Sequence, residues 1–476
     1  MSELVVVVGD TLLDQDLHGS VQRLAADCPV PIVEEPTEHA RAGGAGLAAT
    51  LAAREGIRVA LLTALAADEG GELLRELLLT AGVEVIDVGL SGGTPRKVRV
   101  HGRGHALVRI DWNGDRRAPA GDPSREALAV LEAADAVLVS DYGGGVPCSQ
   151  PLREQLERRA DDIPIAWDPH PHGAPPVTGV LLATPSEAEA AHLCERPREE
   201  ATPALIEQGR VLARQWRARS IAITRGDRGA LLVTGDGRAV AVPAPRIAAG
   251  DACGAGDCFA AAATVALAAG SSVDRAVSAA VKEASHFVST GGAASRSQQR
   301  SGGAGLRTLQ PGGVRSLQDS DHAFPRDAFG LAAAVRQRGG TVVATGGCFD
   351  LLHAGHVSVL RSARALGDCL IVCLNSDASV RRLKGEGRPV VAQADRTVVL
   401  ESLSWVDGVV VFEEDTPETV LAQLQPDIWA KGGDYSVEEL PEAALVRSWG
   451  GTVVTLPYLE GRSTSRLLEQ VSRRGE

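Results

Sequence analysis

A run of small residues that ends in an acid, Gly254-Ala255-Gly256-Asp257, stands directly before an alanine-rich stretch with helical spacing. Small residues let backbone N–H groups converge at a helix N-terminus, where the dipole favours a phosphate or a developing oxyanion. A carboxylate in the first helical turn can accept the proton of a substrate hydroxyl. The run therefore predicts an anion hole at Gly254, Ala255 and Gly256, with Asp257 as general base. A glycine-rich helix entry with an acidic cap would show the same residues.

Two histidines three residues apart, His353 and His356, follow Phe349-Asp350 in the second half of the chain. At the start of a helix this spacing puts both imidazoles on one face, and Gly355 leaves room for a triphosphate. Two imidazole N–H groups can then stabilise the charge that builds on a phosphorus centre during in-line displacement. A zinc pair and two surface histidines are the alternatives. No third ligand follows at zinc spacing, so we expect no metal ligands here.

Three further clusters in this half suit phosphate binding. The basic, glycine-hinged run at 381–389 contains Lys384 and Arg388 and is typical of a mobile loop over phosphates, although a solvated charge run would look similar. Lys431 stands before two glycines that allow a close approach to a ligand. The third cluster is Ser463, Thr464 and Ser465, whose hydroxyls can bind an anion or cap a helix.

The elements that must position these groups alternate along the chain. From Leu4 to about Gly292, short Val/Ile/Leu-rich runs alternate with helical stretches, which indicates a mostly parallel, doubly wound α/β sheet. Arg96–Val100 and Ala106–Ile110 alternate apolar with polar residues and predict a small half-exposed sheet outside the main core. Other strands of this half are expected at 4–8, 59–65, 136–139, 163–166, 180–183 and 220–224. The segment 41–45 is expected to be a small-residue loop that enters a helix.

A stretch rich in Gly, Ser, Gln and Arg predicts a flexible linker at 296–325 between a domain at 1–295 and a second α/β domain at 326–476. The second domain should have a Rossmann-like, doubly wound sheet. Its first helix is expected around 327–338, its strands at 341–345, 370–374, 408–412, 427–430 and 452–456, and its last helix near Ser463.

Composition narrows the possible partners and compartments. The chain has 476 residues, with 48 Lys and Arg against 61 Asp and Glu, and its net charge of −13 argues against nucleic-acid or anionic-membrane binding. The eight cysteines form no Cys-x-x-Cys pair, which favours a reducing compartment. No apolar run reaches the roughly 20 residues that cross a bilayer, and the start lacks the basic region of a signal peptide. We expect a soluble, cytoplasmic enzyme.

Residues 1–295 resemble the ribokinase-like sugar kinases. The resemblance rests on the Gly-Ala-Gly-Asp segment, on acids that follow the first strand and on small-residue loops near 41–45 and 224–229. It implies a small lid sheet over the sugar and the anion-hole and base roles given above. It also implies sugar-phosphate contacts from Asp10, Gly43, Gly44 and Arg109, and contacts to ATP from Thr224 and Gly226.

Three positions depart from that family's pattern. Leu47 stands where an Asn usually follows the glycine pair, Ser186 replaces the Asn of a common Thr-Pro-Asn, and His170 stands where the closest relatives have Lys. These departures favour an alternative in which the N-terminal half is a non-catalytic module that binds sugar phosphates for regulation or assembly. The intact segment that ends in Asp257 argues against it. A third hypothesis keeps both chemistries but changes the sugar or the nucleotide.

The second half is similar to the cytidylyltransferase-like nucleotidyltransferases across about 340–473. The similarity rests on the pattern Gly-x-Phe-Asp-x-x-His-x-Gly-His and on a distal Arg-Ser-Thr-Ser. Segments at 374–377, 382–385, 412–417 and 431–435 resemble heptose-1-phosphate adenylyltransferases. The similarity implies that ATP contacts come from the residues singled out above in this half: Phe349, Asp350, Gly355, Lys384, Arg388, Lys431, Ser463, Thr464 and Ser465.

The whole chain thus resembles the bifunctional heptose-7-phosphate kinase/heptose-1-phosphate adenylyltransferases. This resemblance implies that ATP phosphorylates heptose 7-phosphate at C1. In a second reaction, heptose 1-phosphate takes the adenylyl group of ATP and pyrophosphate is released. Mg²⁺ is the expected cofactor, bridging phosphates with few protein ligands. The expected partners are sugar phosphates, ATP and further copies of the chain, with a dimer through the kinase half as one such oligomer.

Overall fold

The computed structural model describes residues 3–102, 105–112, 120–196, 201–245, 247, 250–293, 327–433 and 440–457. The chain divides into two compact units: Met1–Glu200, Leu205–Gly237 and Val242–Gln299 form the first, and Ala201–Ala204, Arg238–Ala241 and Arg300–Glu476 form the second. The predicted linker, the predicted last helix and Ser463 to Ser465 lie outside the described residues. Within the described ranges, no helix combines the length and apolarity that a membrane span requires.

Both halves have the α/β fold that the sequence predicts. Up to residue 293 the strands are β1 (Leu4–Gly9), β2 (Thr11–Ser20), β3 (Glu34–Gly44), β4 (Arg58–Thr63), β5 (Val83–Asp87), β6 (Arg96–Gly102), β7 (His105–Trp112), β8 (Ala136–Ser140), β9 (Ile165–Asp168), β10 (Leu182–Ala183), β11 (Ser220–Thr224), β12 (Ala230–Thr234) and β13 (Ala239–Val242). The helices are α1 (Ala45–Ala53), α2 (Glu69–Thr80), α3 (Arg125–Glu132), α4 (Gln150–Arg159), α5 (Glu187–Leu193), α6 (Thr202–Trp216), α7 (Ala255–Ala268) and α8 (Val273–Ser289).

The main sheet of this half runs in the order β12-β11-β10-β9-β8-β1-β4-β5. Its pairs are parallel except β11 with β12. The central β1 is a run of valines that are fully buried from Val5 to Val8, as expected for a parallel strand with helices on both faces. Helices α1 and α7 meet through small residues such as Ala48 and Ala260, which belong to one core cluster. This close contact brings the N-terminus of α7 towards the carboxyl end of the sheet.

A separate four-stranded sheet, the lid sheet, has the order β3-β2-β6-β7. Its strands β6 and β7 confirm the half-exposed sheet predicted from alternation, while β2 and β3 were not predicted. The expected loop at 41–45 is wrong, because Gly44 ends β3 and α1 begins at the next residue. Gly44 makes this sharp change of direction at φ +60°, which a glycine adopts without strain.

The second half has the helices α9 (Ala328–Gln337), α10 (Ala354–Arg364), α11 (Asp377–Lys384), α12 (Gln393–Glu401), α13 (Glu418–Leu424) and α14 (Ala443–Ser448). Its strands are β14 (Val342–Gly347), β15 (Cys369–Asn375), β16 (Gly408–Phe412), β17 (Ile428–Gly432) and β18 (Thr452–Leu456). They run in parallel in the order β16-β15-β14-β17-β18. The order reverses at β14, between β15 and β17, and α/β sheets bind ligands at the carboxyl edge of such a switch point. Of the predicted histidines, His353 ends the loop after β14 and His356 lies in the first turn of α10.

Candidate active sites

Asp257 lies in the first turn of α7 and is 5% exposed. The preceding Gly254 caps the helix at φ +79°, so the backbone N–H groups of the first turn lie next to the carboxylate. Burial raises the pKa of Asp257 to about 7, although a hydrogen bond from Tyr142 opposes the rise. A carboxyl group with this pKa can accept a proton near neutral pH, which is the property of a general base.

Tyr142 is a site residue that the sequence did not reveal. Its hydroxyl lies 2.9 Å from both carboxylate oxygens of Asp257 and donates a hydrogen bond to that group. Burial raises the pKa of Tyr142 well above its usual value, so the phenol keeps its proton and remains a donor. No local motif marks this tyrosine, because its partner is 115 residues away in the chain.

Asp10, which follows β1, holds the loop that carries Tyr142. Its carboxylate accepts hydrogen bonds from the backbone N–H groups of Tyr142, Gly144 and Val146 at 2.8–3.0 Å. These bonds fix the loop against the carboxyl edge of the sheet. The predicted contact of Asp10 with a sugar phosphate stays a prediction.

A cavity of about 130 Å³ opens beside this loop, lined by Asp10, Tyr142, Lys97 and His170 among others. The Lys97 ammonium, on the lid strand β6, lies 5.2 Å from the centre of the Tyr142 ring. Its charge also lowers the pKa of Asp257, although less than burial raises it. The cavity therefore presents a cation, an imidazole and the hydroxyl that contacts the candidate base, which suits a polar, anionic substrate.

The glycine pair leaves space that neighbouring acids fill. A Cβ on Gly43 would come within 2.6 Å of the Asp14 carboxylate, and one on Gly44 within 2.6 Å of the Asp10 carbonyl oxygen. Leu47, one of the departures from the family pattern, lies against the anion-hole segment, because a Cβ on Gly254 would meet its side chain at 2.7 Å. Arg109 is paired with Asp111 on its own strand and is mostly exposed, so its predicted role remains untested.

A second acid, the partly buried Asp168, ends β9 beside this site. Burial and then the charge of Asp257 raise its pKa well above the usual value, and the Thr184 hydroxyl donates to it at 2.7 Å. Thr224 and Gly226, predicted to contact ATP, lie at the end of β11 and at the start of a short 3₁₀ turn. Ser186 caps α5 in a capping box with Glu189, so a serine at this position has a structural role.

In the second half, His353 caps α10 by accepting a hydrogen bond at Nδ1 from the N–H of Gly355. A neutral ring that accepts at Nδ1 carries its proton on Nε2, so His353 presents a donor there. The His356 ring stacks on it at 4.0 Å between centroids. Burial and the neighbouring His353 lower the pKa of His356 to about 4. The two rings are brought together as predicted, and His356 stays neutral at physiological pH.

Phe349 and Asp350 shape the loop between β14 and α10. Phe349 has a left-handed φ of +43°, a strained conformation for this residue type, and its ring lies 5.2 Å from that of His356. Asp350 is buried and accepts hydrogen bonds from the Arg388 guanidinium at 2.5 Å and from the N–H groups of Val390 and Val391. Asp350 thus joins the predicted basic loop to the histidine loop.

Arg396 on α12 is a second residue that the sequence did not reveal. It is 1% exposed and donates to the carbonyl oxygens of Cys348, Asn375 and Val391 and to the Asp377 carboxylate. These partners come from the histidine loop, the end of β15, the start of α11 and the basic loop. One buried guanidinium therefore fixes the four segments that surround the candidate nucleotide site.

The two predicted lysines differ in their surroundings. Lys384 is the exposed last residue of α11 and lies close enough to Cys348 to lower the pKa of that thiol, although burial raises it more. Lys431 is half-buried and bonds the buried Glu442 at 2.9 Å, while Trp429 donates to the same carboxylate. Glu442 thus holds Lys431 at the end of β17.

Each half of the chain matches a known protein family. Residues 2–300 match the model of the pfkB family carbohydrate kinases, and residues 344–467 match the cytidylyltransferase-like model. A protein named Bifunctional protein HldE, from Streptomyces coelicolor, is 49% identical over 475 residues that cover 98% of this chain and 96% of that protein. Its namesake from Nitrosococcus oceani is 36% identical and covers 99% of this chain and 98% of its own.

A solved structure supports the fold of the N-terminal half. The ribokinase from Giardia lamblia superposes with a TM-score of 0.51 at 18% identity, covering 62% of this chain and 97% of that one. At this identity the likeness concerns the fold alone.

Proposed function

Because this chain belongs to the family of bifunctional HldE proteins, with a PfkB carbohydrate kinase half and a cytidylyltransferase-like half, we propose that it makes ADP-heptose in two separate steps. The first step phosphorylates heptose 7-phosphate at C1 with ATP. The product of this step is heptose 1,7-bisphosphate, and a separate phosphatase must remove its 7-phosphate. The second step of this chain then transfers the adenylyl group of ATP to heptose 1-phosphate and releases pyrophosphate. The observation that carries the proposal is the presence of both sites in one chain that matches these proteins over nearly its full length.

In the kinase step, Asp257 accepts the proton of the C1 hydroxyl as the hydroxyl oxygen attacks the γ-phosphorus of ATP and ADP leaves. The N–H groups at the start of α7 stabilise the charge on the transferred phosphoryl group. Tyr142 must give up its bond to Asp257, or share it, when the sugar hydroxyl arrives. Asp10 and Lys97 orient the loop and the substrate within the cavity.

In the adenylyl step, a phosphate oxygen of heptose 1-phosphate attacks the α-phosphorus of ATP. His353 donates from Nε2 towards the developing charge, and the neutral His356 packs against it to fix the ring plane. Lys384, Arg388 and Lys431 supply positive charge for the triphosphate, and Asp350 and Arg396 hold the loops that carry them. No protein nucleophile is required, because positioning and charge stabilisation are sufficient for such transfers.

Mg²⁺ fits the kinase site by the chemistry of its donors. Asp168 and Asp257 are neighbouring carboxylates whose charges oppose each other, and a divalent cation held largely by ATP phosphates would relieve that opposition. Asp168 would hold the ion, which neutralises charge on the phosphates.

We also infer a cytoplasmic location, since all eight cysteines are unpaired. We also propose that copies of the chain assemble into a homo-oligomer.

The test uses the purified full-length chain with ATP, Mg²⁺ and either heptose 7-phosphate or heptose 1-phosphate, with other sugar phosphates as comparisons and products identified by mass spectrometry. Asp257→Asn should lower phosphorylation by ~10²-fold or more and leave adenylyl transfer unchanged. His353→Ala should do the reverse. Asp274→Asn, which changes an acid in the first turn of α8, is the matched control and should alter neither reaction.

The outcome separates the hypotheses. If the unchanged protein phosphorylates no sugar phosphate but still transfers the adenylyl group, the N-terminal half is the non-catalytic module and the proposal fails. If both steps occur only with another sugar or nucleotide, the chemistry stands and the assigned substrate is wrong.

A further inference from the structure

The lid sheet carries a cluster of histidine and aspartate side chains that the proposed reactions do not use. Asp16 and His18 lie on β2, and His101 lies on β6 opposite His18 in the strand register. One potential ligand atom from each of these three side chains lies within 4.8 Å of the others. Among the described residues, this set meets the geometric requirement for a metal site.

The distances within the cluster suit a small tetrahedral ion. Nε2 of His101 lies 3.3 Å from Oδ1 of Asp16. Zinc binds imidazole nitrogen and carboxylate oxygen at roughly 2.0–2.2 Å, which separates two ligand atoms of a tetrahedron by about 3.3–3.5 Å. The rings of His18 and His101 are stacked at 4.4 Å between centroids, so the two imidazoles are direct neighbours across the strand pair.

The surroundings of the cluster also suit a metal. The Asp16 side chain is 2% exposed, and its other oxygen, Oδ2, is paired with Arg41. An outer partner of this kind orients a carboxylate ligand and leaves the first oxygen for the ion. The His101 side chain is 19% exposed, which leaves an entry path.

We propose that the lid sheet binds one Zn²⁺ through Asp16, His18 and His101, with water in the fourth position. Zinc takes the place of the hydrogen between His101 and Asp16. The His101 proton then resides on Nδ1, and lone pairs of Nε2 and Oδ1 point at the ion. Such a site would join β2 to β6 and hold the lid strands in register. His101 lies 85 residues from Asp16 in the chain, which is why sequence spacing did not predict the site.

The test is zinc binding by the full-length protein, prepared without a histidine tag and stripped of metal. Zinc content after dialysis and competition with a chromophoric chelator should give one tightly bound Zn²⁺ per chain. His18→Gln and His101→Gln should each weaken binding by more than ~100-fold, since even loss of an outer partner costs 10–100-fold. His105→Gln, a change of an exposed histidine on the same sheet, is the matched control and should bind normally.

A second measurement covers variants that fold poorly. Co²⁺ added to the stripped protein should give the visible spectrum of a tetrahedral N/O site, and Asp16→Asn should change it while circular dichroism stays constant. The His353→Ala variant should keep its zinc, which distinguishes the lid site from the histidine pair of the second half. Absence of stoichiometric zinc, or zinc retained by both His18→Gln and His101→Gln, would overturn the proposal.

Discussion

Replacing Tyr142 with Phe tests how the candidate base of the kinase site acquires its pKa. The substitution removes one hydroxyl, which lies 2.9 Å from each oxygen of Asp257, and keeps the aromatic ring beside Lys97. Burial raises the pKa of Asp257 to about 7, and the Tyr142 hydrogen bond is the largest opposing influence. Without this bond the ionised carboxylate loses its donor, so the pKa of Asp257 should rise further.

The size of the rise follows from the strength of the bond. A hydrogen bond to a charged group contributes about 1.5–3 kcal/mol. One pKa unit corresponds to 1.36 kcal/mol, so the pKa of Asp257 should rise by about one to two units. At pH 7 the ionised fraction would then fall from about one half to between a tenth and a hundredth. Because only the ionised form accepts the proton, kcat/KM of the kinase step should drop roughly 5–50-fold at pH 7.

The assay is the pH dependence of kinase kcat/KM for the unchanged protein and the Tyr142→Phe variant. The acidic limb should move to higher pH by about one to two units, and activity should recover towards pH 9. Adenylyl transfer by the same preparation is the internal control. An acidic limb that does not move, or that moves to lower pH, would show that Tyr142 does not stabilise the ionised Asp257.

Three other changes test the second half and the domain organisation. His356→Ala removes the ring that holds the His353 donor in place and should lower adenylyl transfer by at most the ~10²–10³-fold expected when the donor itself is lost, without changing phosphorylation. An effect below tenfold would contradict its role. Arg396→Met leaves three backbone carbonyls without their buried donor. In urea titrations, the free energy of unfolding of that unit should fall by about 3–5 kcal/mol. Replacing an exposed arginine should not cause this loss. Cutting the chain within 301–320 should give two fragments that each keep one activity, and loss of adenylyl transfer on cutting would refute independent domains.

Several strands were predictable where an apolar run is buried on both faces, although β12 and β13, whose apolar residues are also buried, were missed. The valines of β1 and the run of β11 were predicted because such strands need little beyond continuous hydrophobicity. Strands β2 and β3 were missed, since they carry charged and small residues and lie in a sheet outside the core. Their pairing depends on partners such as β6, and no local pattern encodes those partners.

The candidate sites were predictable where their residues are consecutive. Asp257 and His353 stand in short motifs whose backbone geometry follows from glycines and a helix start. Tyr142 and Arg396 act on residues that are distant in the chain, so only the folded structure brings them to the sites. The same holds for Lys97, which reaches the kinase cavity because the lid sheet places β6 there.

In both halves, an acid after the first strand holds a loop. Asp10 accepts three backbone N–H groups of the Tyr142 loop, and Asp350 accepts two N–H groups and the Arg388 guanidinium. A carboxylate has about four lone-pair positions, so three donors leave little capacity for a substrate. Substrates are therefore contacted by other groups, on the loops that these two acids hold. Each candidate active site thus depends on a hydrogen-bonded acid that sets the position of its neighbours, and its removal should lower turnover more than substrate affinity.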